Sequence, residues 1–541
     1  MRTTIADTDL TDRQAAASAD RVHRRRWAIL AVMVLCLMIV VLDNSVLNVA
    51  LKTIADPKKG LGASQSDLEW SINSYTLVFA GMLLSWGVLG DRVGRRRVLL
   101  VGFTFFGLAS LASAYSHSPG QLIGARALMG LGAAAVMPAT LAIISNVFDP
   151  KERAKAIGIW AGAVGMGIAI GPIVGGALLG HFWWGSVFLI NVPIVIIGAV
   201  LIRILVPESR NPNPGRHDPV GVALEVVGLV LVIYSIIKAG DLSSLRPAQV
   251  WATFVVGTVI LAFFVWFERR SDHPTLDIEL FKDPRFSASV GSIGLVFFAL
   301  MGTTFFMVFY LQIVRGYSPL QAGVRFLPLA IAQIIAAPRS PKLVRRFGAK
   351  AVCTGGLLLM TGSFIGYLML GQHTSIWVLE ALFFVQGLGM GNIMPPATES
   401  IMASVPREKA GAGSAINNVS RQVGAALGIA VLGSVLASSY RKGIDPTLAK
   451  LPISGPVRAQ MEKSVQATQA VVEKVGASLH QAIPASNTAF LHAMHVTSLF
   501  SAFVALLGTL VAFKYLPGRR PAEPVVPLPD AEVPQHQLVA E

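Results

Sequence analysis

Asp43, Asn44 and Asn48 stand together in LDNSVLNVAL, residues 42–51, at the end of an apolar run that begins at Trp27. A carboxylate at membrane depth costs about 2.5–3.5 kcal/mol at a helix centre, so its presence asks for a use. A carboxyl withdrawn from water favours its neutral form, and it ionises where water returns. That chemistry makes Asp43 a proton carrier, a counter-charge for a cationic substrate, or both in exchange. An inert aspartate near a helix end, hydrogen-bonded to Asn44 or to a neighbouring helix, is the other reading. Helix rise places Asp43 roughly 24 Å beyond Trp27, in the outer half of a bilayer. Arg126 is the second charge at depth, about two turns in from the loop SHSPGQ, where snorkelling to the headgroups competes with a buried role. Glu225, Glu399 and Glu380 are further acids inside apolar runs, for which ordinary hydrogen-bond satisfaction is the competing account.

Helices that span lipid must position these groups. Of 541 residues, 53% are hydrophobic and 14% charged, whereas a soluble chain is about a quarter charged. The composition therefore marks an all-α, polytopic membrane protein. Fourteen apolar runs are expected as spans, near 27–49, 69–88, 97–115, 121–145, 154–179, 184–206, 218–238, 249–267, 288–313, 322–342, 350–370, 376–402, 410–437 and 494–516. A net charge of +15 would suggest nucleic acid in a soluble protein. Here the basic residues gather in alternate short loops, GDRVGRRR, DPKERAKA, ERRSDHP, VRRFGAK and PREKAG, so topology explains them and no nucleic-acid partner is expected. The same bias puts both termini in the cytoplasm of a multi-pass protein of the cell membrane. The two cysteines, Cys36 and Cys353, lie in apolar runs and make neither a disulfide framework nor a metal site.

The chain repeats itself. GDRVGRRRVLLVG (90–102) aligns with LVRRFGAKAVCTGG (343–356), MGLGAAAVMPAT (129–140) with QGLGMGNIMPPA (386–397), and KERA (151–154) with REKA (407–410). Gly94 falls on Gly348, Asp91 on Arg345 and Arg126 on Phe383, so the acid and the buried cation belong to one half only. The expected organisation is a cytoplasmic arm (1–26), a six-helix bundle (27–206), two inserted transmembrane helices (218–267) and a second six-helix bundle (288–516). An extracellular insertion at 440–490 carries Val457, Met461, Val465, Val472, Val475 and Leu479 at helical spacing, which suits a surface helix or hairpin, with a plain linker as the alternative. The Pro-rich tail, 517–541, is expected to be disordered.

The loop GVLGDRVGRRR resembles the G-x-x-x-D-R-x-G-R-R signature of the major facilitator superfamily, with Asp91, Arg92, Gly94 and Arg95 in its fixed positions. RALMGLGAAAVMPA resembles the family's fourth-span motif, with Arg126 as its buried cation. GAVGMGIAIGPIVGGAL resembles the fifth-span antiporter motif, which Gly167, Gly171, Pro172, Gly175 and Gly176 carry here. LDNSVLNVAL, LQIVRGYSPLQAGVRFLP and GSAINNVSRQVGAALGIA are similar to the fourteen-span drug:proton antiporters of the EmrB/QacA type. The last two bring Gln312, Asn417 and Arg421 forward as cavity residues. Asn418 departs from the aspartate common in relatives and removes a possible second titrating group.

The resemblance implies two six-helix bundles rocking about a central cavity, with Asp43 and Arg126 coupling protons to substrate and the Asp91 loop acting as a conformational latch. It implies a monomer that exports hydrophobic or cationic compounds in exchange for protons, with no cofactor beyond the proton gradient. Export of an endogenous lipid or a secondary metabolite, as in antibiotic self-resistance, stays open, and so does a non-transporting sensor or scaffold. An enzyme is not expected, because no nucleophile–histidine–acid grouping occurs, and ATP-driven transport is not expected, because no GxxxxGK[ST] loop occurs.

Overall fold

A computed structural model describes residues 3–210, 218–242, 248–271, 278–404, 410–475 and 479–516. The tail expected at 517–541 lies outside the described residues, as do the arm's side chains up to Arg21 and the surroundings of Gly158, Gly162 and Gly165. A first bundle is made of α1 (Thr3–Ala55), α2 (Gln65–Val93), α3 (Arg95–Ala114), α4 (Pro119–Val147), α5 (Pro150–His181), the short α6 (Ser186–Leu189) and α7 (Asn191–Leu205). A helix pair follows, α8 (Pro219–Leu242) and α9 (Ala248–Glu268). The second bundle comprises α10 (Pro284–Phe309), α11 (Pro319–Arg325), α12 (Leu327–Ala336), α13 (Ser340–Gly366), α14 (Ile376–Ala403) and α15 (Ala410–Leu448). After α16 (Gly455–Met461) and α17 (Val465–Val475), α18 (Ala482–Tyr515) completes it.

Among the described residues twelve helical segments are long and apolar enough to cross a membrane. α2 adds a thirteenth if its two segments, Gln65–Leu83 and Ser85–Val93, are one span, and the described apolar stretch of α5 is Ile170–His181. Helices are the expected solution, since lipid offers no partner to a backbone N–H or C=O. Their starts are written in the sequence. Ser64 accepts from Asp67 N while the Asp67 carboxylate accepts from Ser64 N at 2.9 Å, and Ser318 and Gln321 reciprocate in the same way.

The internal repeat survives as backbone shape. Gly94 (φ 123°) and Gly348 (φ 84°) both adopt positive φ, which a side chain would oppose, at the same turn of each half. Within the bundles small residues bring backbones together. A Cβ added at Gly130 of α4 would lie 2.4 Å from the Tyr75 carbonyl oxygen of α2.

The bundles meet where α1 packs on α10, α2 on α15, and α5 on α11 and α12. α8 packs on both α2 and α15, and Ser434 Oγ of α15 donates to Ile236 O of α8 at 2.9 Å. α9 packs on α8 with Val250, Gly257, Phe264 and Glu268 buried. The segment read as an insertion folds as α16 and α17 over one end of the bundles, with Met461, Val465, Val472 and Leu479 buried. Tyr440 at the end of α15 bonds both Thr468 Oγ1 and Ser486 Oγ at 2.7 Å, and Arg458 pairs with Asp445 and Glu462.

Candidate functional site

Asp43 and Arg126 find each other. Arg126 Nη1 donates to Asp43 Oδ2 at 2.5 Å, with both side chains at most 1% exposed. Arg126 does not snorkel and Asn44 does not hold the carboxylate; Asp43 is hydrogen-bonded to neighbouring helices, which the inert reading also allowed. Asn191, at the start of α7, donates to Asp43 Oδ1 at 2.8 Å and to Ser110 Oγ at 2.9 Å. Ser110 Oγ in turn donates to Phe188 O. Arg126 Nε donates to Ser71 O at 3.1 Å, its guanidinium carbon lies 4.3 Å from the Tyr75 ring centroid, and Nη2 has no hydrogen-bond partner. Four helices, α1, α2, α4 and α7, thus converge on one carboxylate–guanidinium pair. A buried pair of this kind is stable only while both members are charged or both costs are removed. Neutralising one partner strands the other, at about 3–5 kcal/mol.

Tyr75 separates this pair from a cavity of about 180 Å³ between the bundles. Asn44 and Asn48 line the cavity from α1, and Tyr75 and Thr76 from α2. Phe297, Leu300 and Thr304 line it from α10, Phe326 and Gln333 from the α11–α12 region, and Arg421 and Gln422 from α15. Asn48 Nδ2 donates to Asn44 O at 3.2 Å, so that side chain is anchored on its own helix. Near the end of α1 that packs on α17, the two bundles touch. Gln312 Nε2 donates to Val49 O at 2.9 Å, and Lys52 Nζ donates to Gln312 O at 2.6 Å.

Three of the other polar residues lie away from the cavity wall. Asn417 is buried with Nδ2 3.4 Å from Thr398 Oγ1. Glu399 is exposed near the end of α14. Glu225 is buried in α8, one helix pair away from the cavity. Glu380 binds Arg325 at 2.5 Å within the second bundle.

The basic loop is held inside the first bundle. Asp91 accepts from Arg95 Nε at 3.0 Å, with Arg95 Nη2 2.9 Å from the same oxygen. Arg96 N donates to Glu208 Oε1 at 3.1 Å and Arg95 N to Ser209 O at 2.9 Å. Glu208 therefore sits at the N-terminus of α3, where the helix dipole favours an anion, with Arg96 and Arg97 beside it. Glu208, Asn191 and Tyr75 were not singled out in the sequence. For Asn191 a signal existed, an asparagine inside the apolar run after HFWWGS; for Glu208, placed in a polar connection, there was none.

The glycines of α5 set its distance from both bundles. A Cβ at Gly167 would lie 3.0 Å from Val41 Cγ1, at Gly171 2.4 Å from Ser45 Cβ, and at Gly175 2.9 Å from Val46 Cγ1, all on α1. A Cβ at Gly176 would lie 2.3 Å from Leu320 Cα of α11, and one at Gly323 2.2 Å from the Pro172 carbonyl oxygen. One face of α5 thus seats α1 and another seats the second bundle.

Similar proteins agree with this architecture. The model of the Major Facilitator Superfamily matches residues 33–429. The multidrug efflux pump LfrA of Mycolicibacterium smegmatis is 37% identical over 500 residues, covering 92% of this chain and 98% of its own. The methyl viologen resistance protein SmvA of Salmonella typhimurium is 38% identical over 78% of this chain and 84% of its own. The tetracenomycin C resistance and export protein of Streptomyces glaucescens is 33% identical over 82% of each. Among solved structures, a bacterial homologue of the human lysosomal transporter Spinster superposes with a TM-score of 0.64 at 18% identity, covering 91% of this chain and 97% of that one. Fold, matched family and relatives coincide over most of the sequence, and the chain belongs to the major facilitator superfamily.

Proposed function

We infer that this chain is a multidrug efflux transporter that exchanges protons for hydrophobic small molecules, cations among them. The observation that carries the proton coupling is the Asp43–Arg126 pair, buried behind Tyr75 at the wall of a cavity between the bundles. A proton delivered to Asp43 removes the charge that holds Arg126, and the pair then separates instead of stranding one ion. α1 and α4 are tied by that pair, and α1 also carries Asn44 and Asn48 into the cavity, so proton state and substrate site share a helix. A cationic substrate would compete for Asp43 once the aspartate parts from Arg126. Relatives named for multidrug efflux, multidrug resistance and methyl viologen resistance support this reading over an enzyme.

Counted with α2 and α5, the spans reach fourteen, with α8 and α9 as a pair inserted between the bundles; this supports the EmrB/QacA type of drug:proton antiporter. The Arg/Lys bias of alternate loops supports cytoplasmic termini, which places α16 and α17 outside and the described state closed on that side. Cysteines introduced at the exposed positions 117 and 460 should react from outside, and one at 153 only after permeabilisation. A second reading, export of a secondary metabolite, draws on the relatives named for tetracenomycin C and actinorhodin.

The test is efflux from proteoliposomes of the purified full chain under an imposed pH gradient. Gradient-dependent movement of a dye cation is expected, and it should vanish in Asp43→Asn while the protein still inserts. Gradient-independent movement in the wild type would remove the antiport reading.

A further inference from the structure

Arg421 is the one charged side chain among the described residues that line the central cavity, and that lining contains no aspartate or glutamate. Four other arginines near the spans have polar partners. Arg126 holds Asp43, Arg325 holds Glu380, Arg26 holds Glu152, and Arg315 donates to Thr374 O. Among the described residues Arg421 meets the face of Phe297, 4.7 Å from the guanidinium carbon to the ring centroid, and no carboxylate. A guanidinium at membrane depth with no carboxylate is costly, and one directed into a cavity marks a place for an anion.

We propose that the cavity also accepts amphiphiles bearing an acidic group, a carboxylate, sulfonate or phosphate, whose anion is held by Arg421 while their apolar body lies against Phe297, Leu300, Leu329 and Ile429. The proposal deepens the efflux reading and rests on it. Gln422 beside Arg421 and Gln333 across the cavity offer amide N–H groups to the remaining acceptor oxygens. Asp43, already engaged behind Tyr75, contributes no opposing charge to the cavity surface in this state. The Arg421 guanidinium is a fork suited to two parallel hydrogen bonds, which an ammonium would not reproduce in geometry although it would in charge.

The experiment uses a matched pair of probes that differ by one group, 1-anilinonaphthalene-8-sulfonate and its neutral parent N-phenyl-1-naphthylamine. Binding is measured to the full chain in zwitterionic nanodiscs, against empty discs, and the readout is the ratio of the two affinities. A loss of folded protein lowers the number of sites for both probes alike and leaves the ratio of affinities unchanged. The wild type should prefer the sulfonate. Arg421→Gln should reduce the preference by about tenfold or more, the range of a charge-assisted hydrogen bond, and Arg421→Lys should keep part of it. An equal affinity for both probes in the wild type, or an unchanged ratio in Arg421→Gln, overturns the proposal. In discs containing phosphatidylglycerol, competition with the sulfonate would identify a lipid phosphate as the natural acid, and no competition a free one. Binding needs no gradient, so a failure of proton-driven dye efflux would sink the antiport reading without deciding the role of Arg421.

Discussion

The two bundles solve the same contact differently. In the first, Ser113 Oγ of α3 donates to Met129 Sδ of α4 at 3.2 Å, one turn from the buried Asp43–Arg126 pair. In the second, the matching helices α13 and α14 are joined by Tyr367 OH donating to Gln386 Oε1 at 2.5 Å. Where Arg126 stands in one, Phe383 stands in the other, stacked on Phe326 at 4.9 Å and edge-on to Tyr367 at 6.1 Å. An aromatic cluster cannot change charge, while an ion pair can be switched by one proton. The fold therefore needs no charge at this position, and under the proposed antiport its presence in one bundle would divide coupling in the first half from substrate contact shared with the second.

That division can be broken most severely at Arg126. Arg126→Leu leaves a buried carboxylate without its partner, and a loss of about 3–5 kcal/mol is expected together with loss of gradient-driven efflux. Thermal unfolding in nanodiscs and proteoliposome transport measure the two effects separately. Asn191→Leu comes next. It removes the second donor to Asp43 and should cost about 1.5–3 kcal/mol, with weakened but gradient-dependent efflux. Tyr367→Phe tests the other bundle. Deleting its hydroxyl should cost about 0.5–1.5 kcal/mol, plus the unsatisfied Gln386 oxygen, and leave the gradient dependence of transport intact. If Tyr367→Phe uncouples transport as Arg126→Leu does, the halves do not divide the work. The smallest effect is expected from Asp91→Asn. Its partner, Arg95, is four residues away in the same bundle and both are partly exposed, so about 0.2–1 kcal/mol is at stake. Spin-label distances across the loops at the Asp91 end of the bundles should then shift populations a few-fold, and a complete switch of state would show that Asp91 has a partner in the other half.

Much of this was legible in residues. Asp43 and Arg126 stood out because ionised groups are rare at membrane depth, and Gly94 and Gly348 because a tight turn recurred at one offset. That Asp43 and Arg126 are partners was not legible, since 83 residues separate them and helix rise alone does not fix rotation about the bundle axis. The same limit applies to Glu399 and Glu225. Each sits in an apolar run, but one is exposed near the end of α14 and the other sits in the α8–α9 pair, and only packing decides which face of a helix meets a cavity. Arg421 had the opposite fate. A motif marked it as a cavity residue, and its lack of a carboxylate became visible only when every lining residue was known. Twelve of the fourteen runs read as spans return as long apolar helices; α2, read as one run, is bent between Gln65–Leu83 and Ser85–Val93, and the described apolar stretch of α5 is Ile170–His181.

Helix α9 belongs to the bilayer as much as to the protein. Val250, Gly257 and Phe264 recur at every seventh position along its buried seam, and only 17% of its apolar window is covered. Acyl chains solvate the remainder. Its 21 residues rise roughly 32 Å, close to the thickness of a hydrocarbon core, so a thinner or thicker membrane changes its tilt. α8 carries that tilt to α2 and α15, one helix from each bundle. Lipid chain length thus has a mechanical route into the interface between the halves.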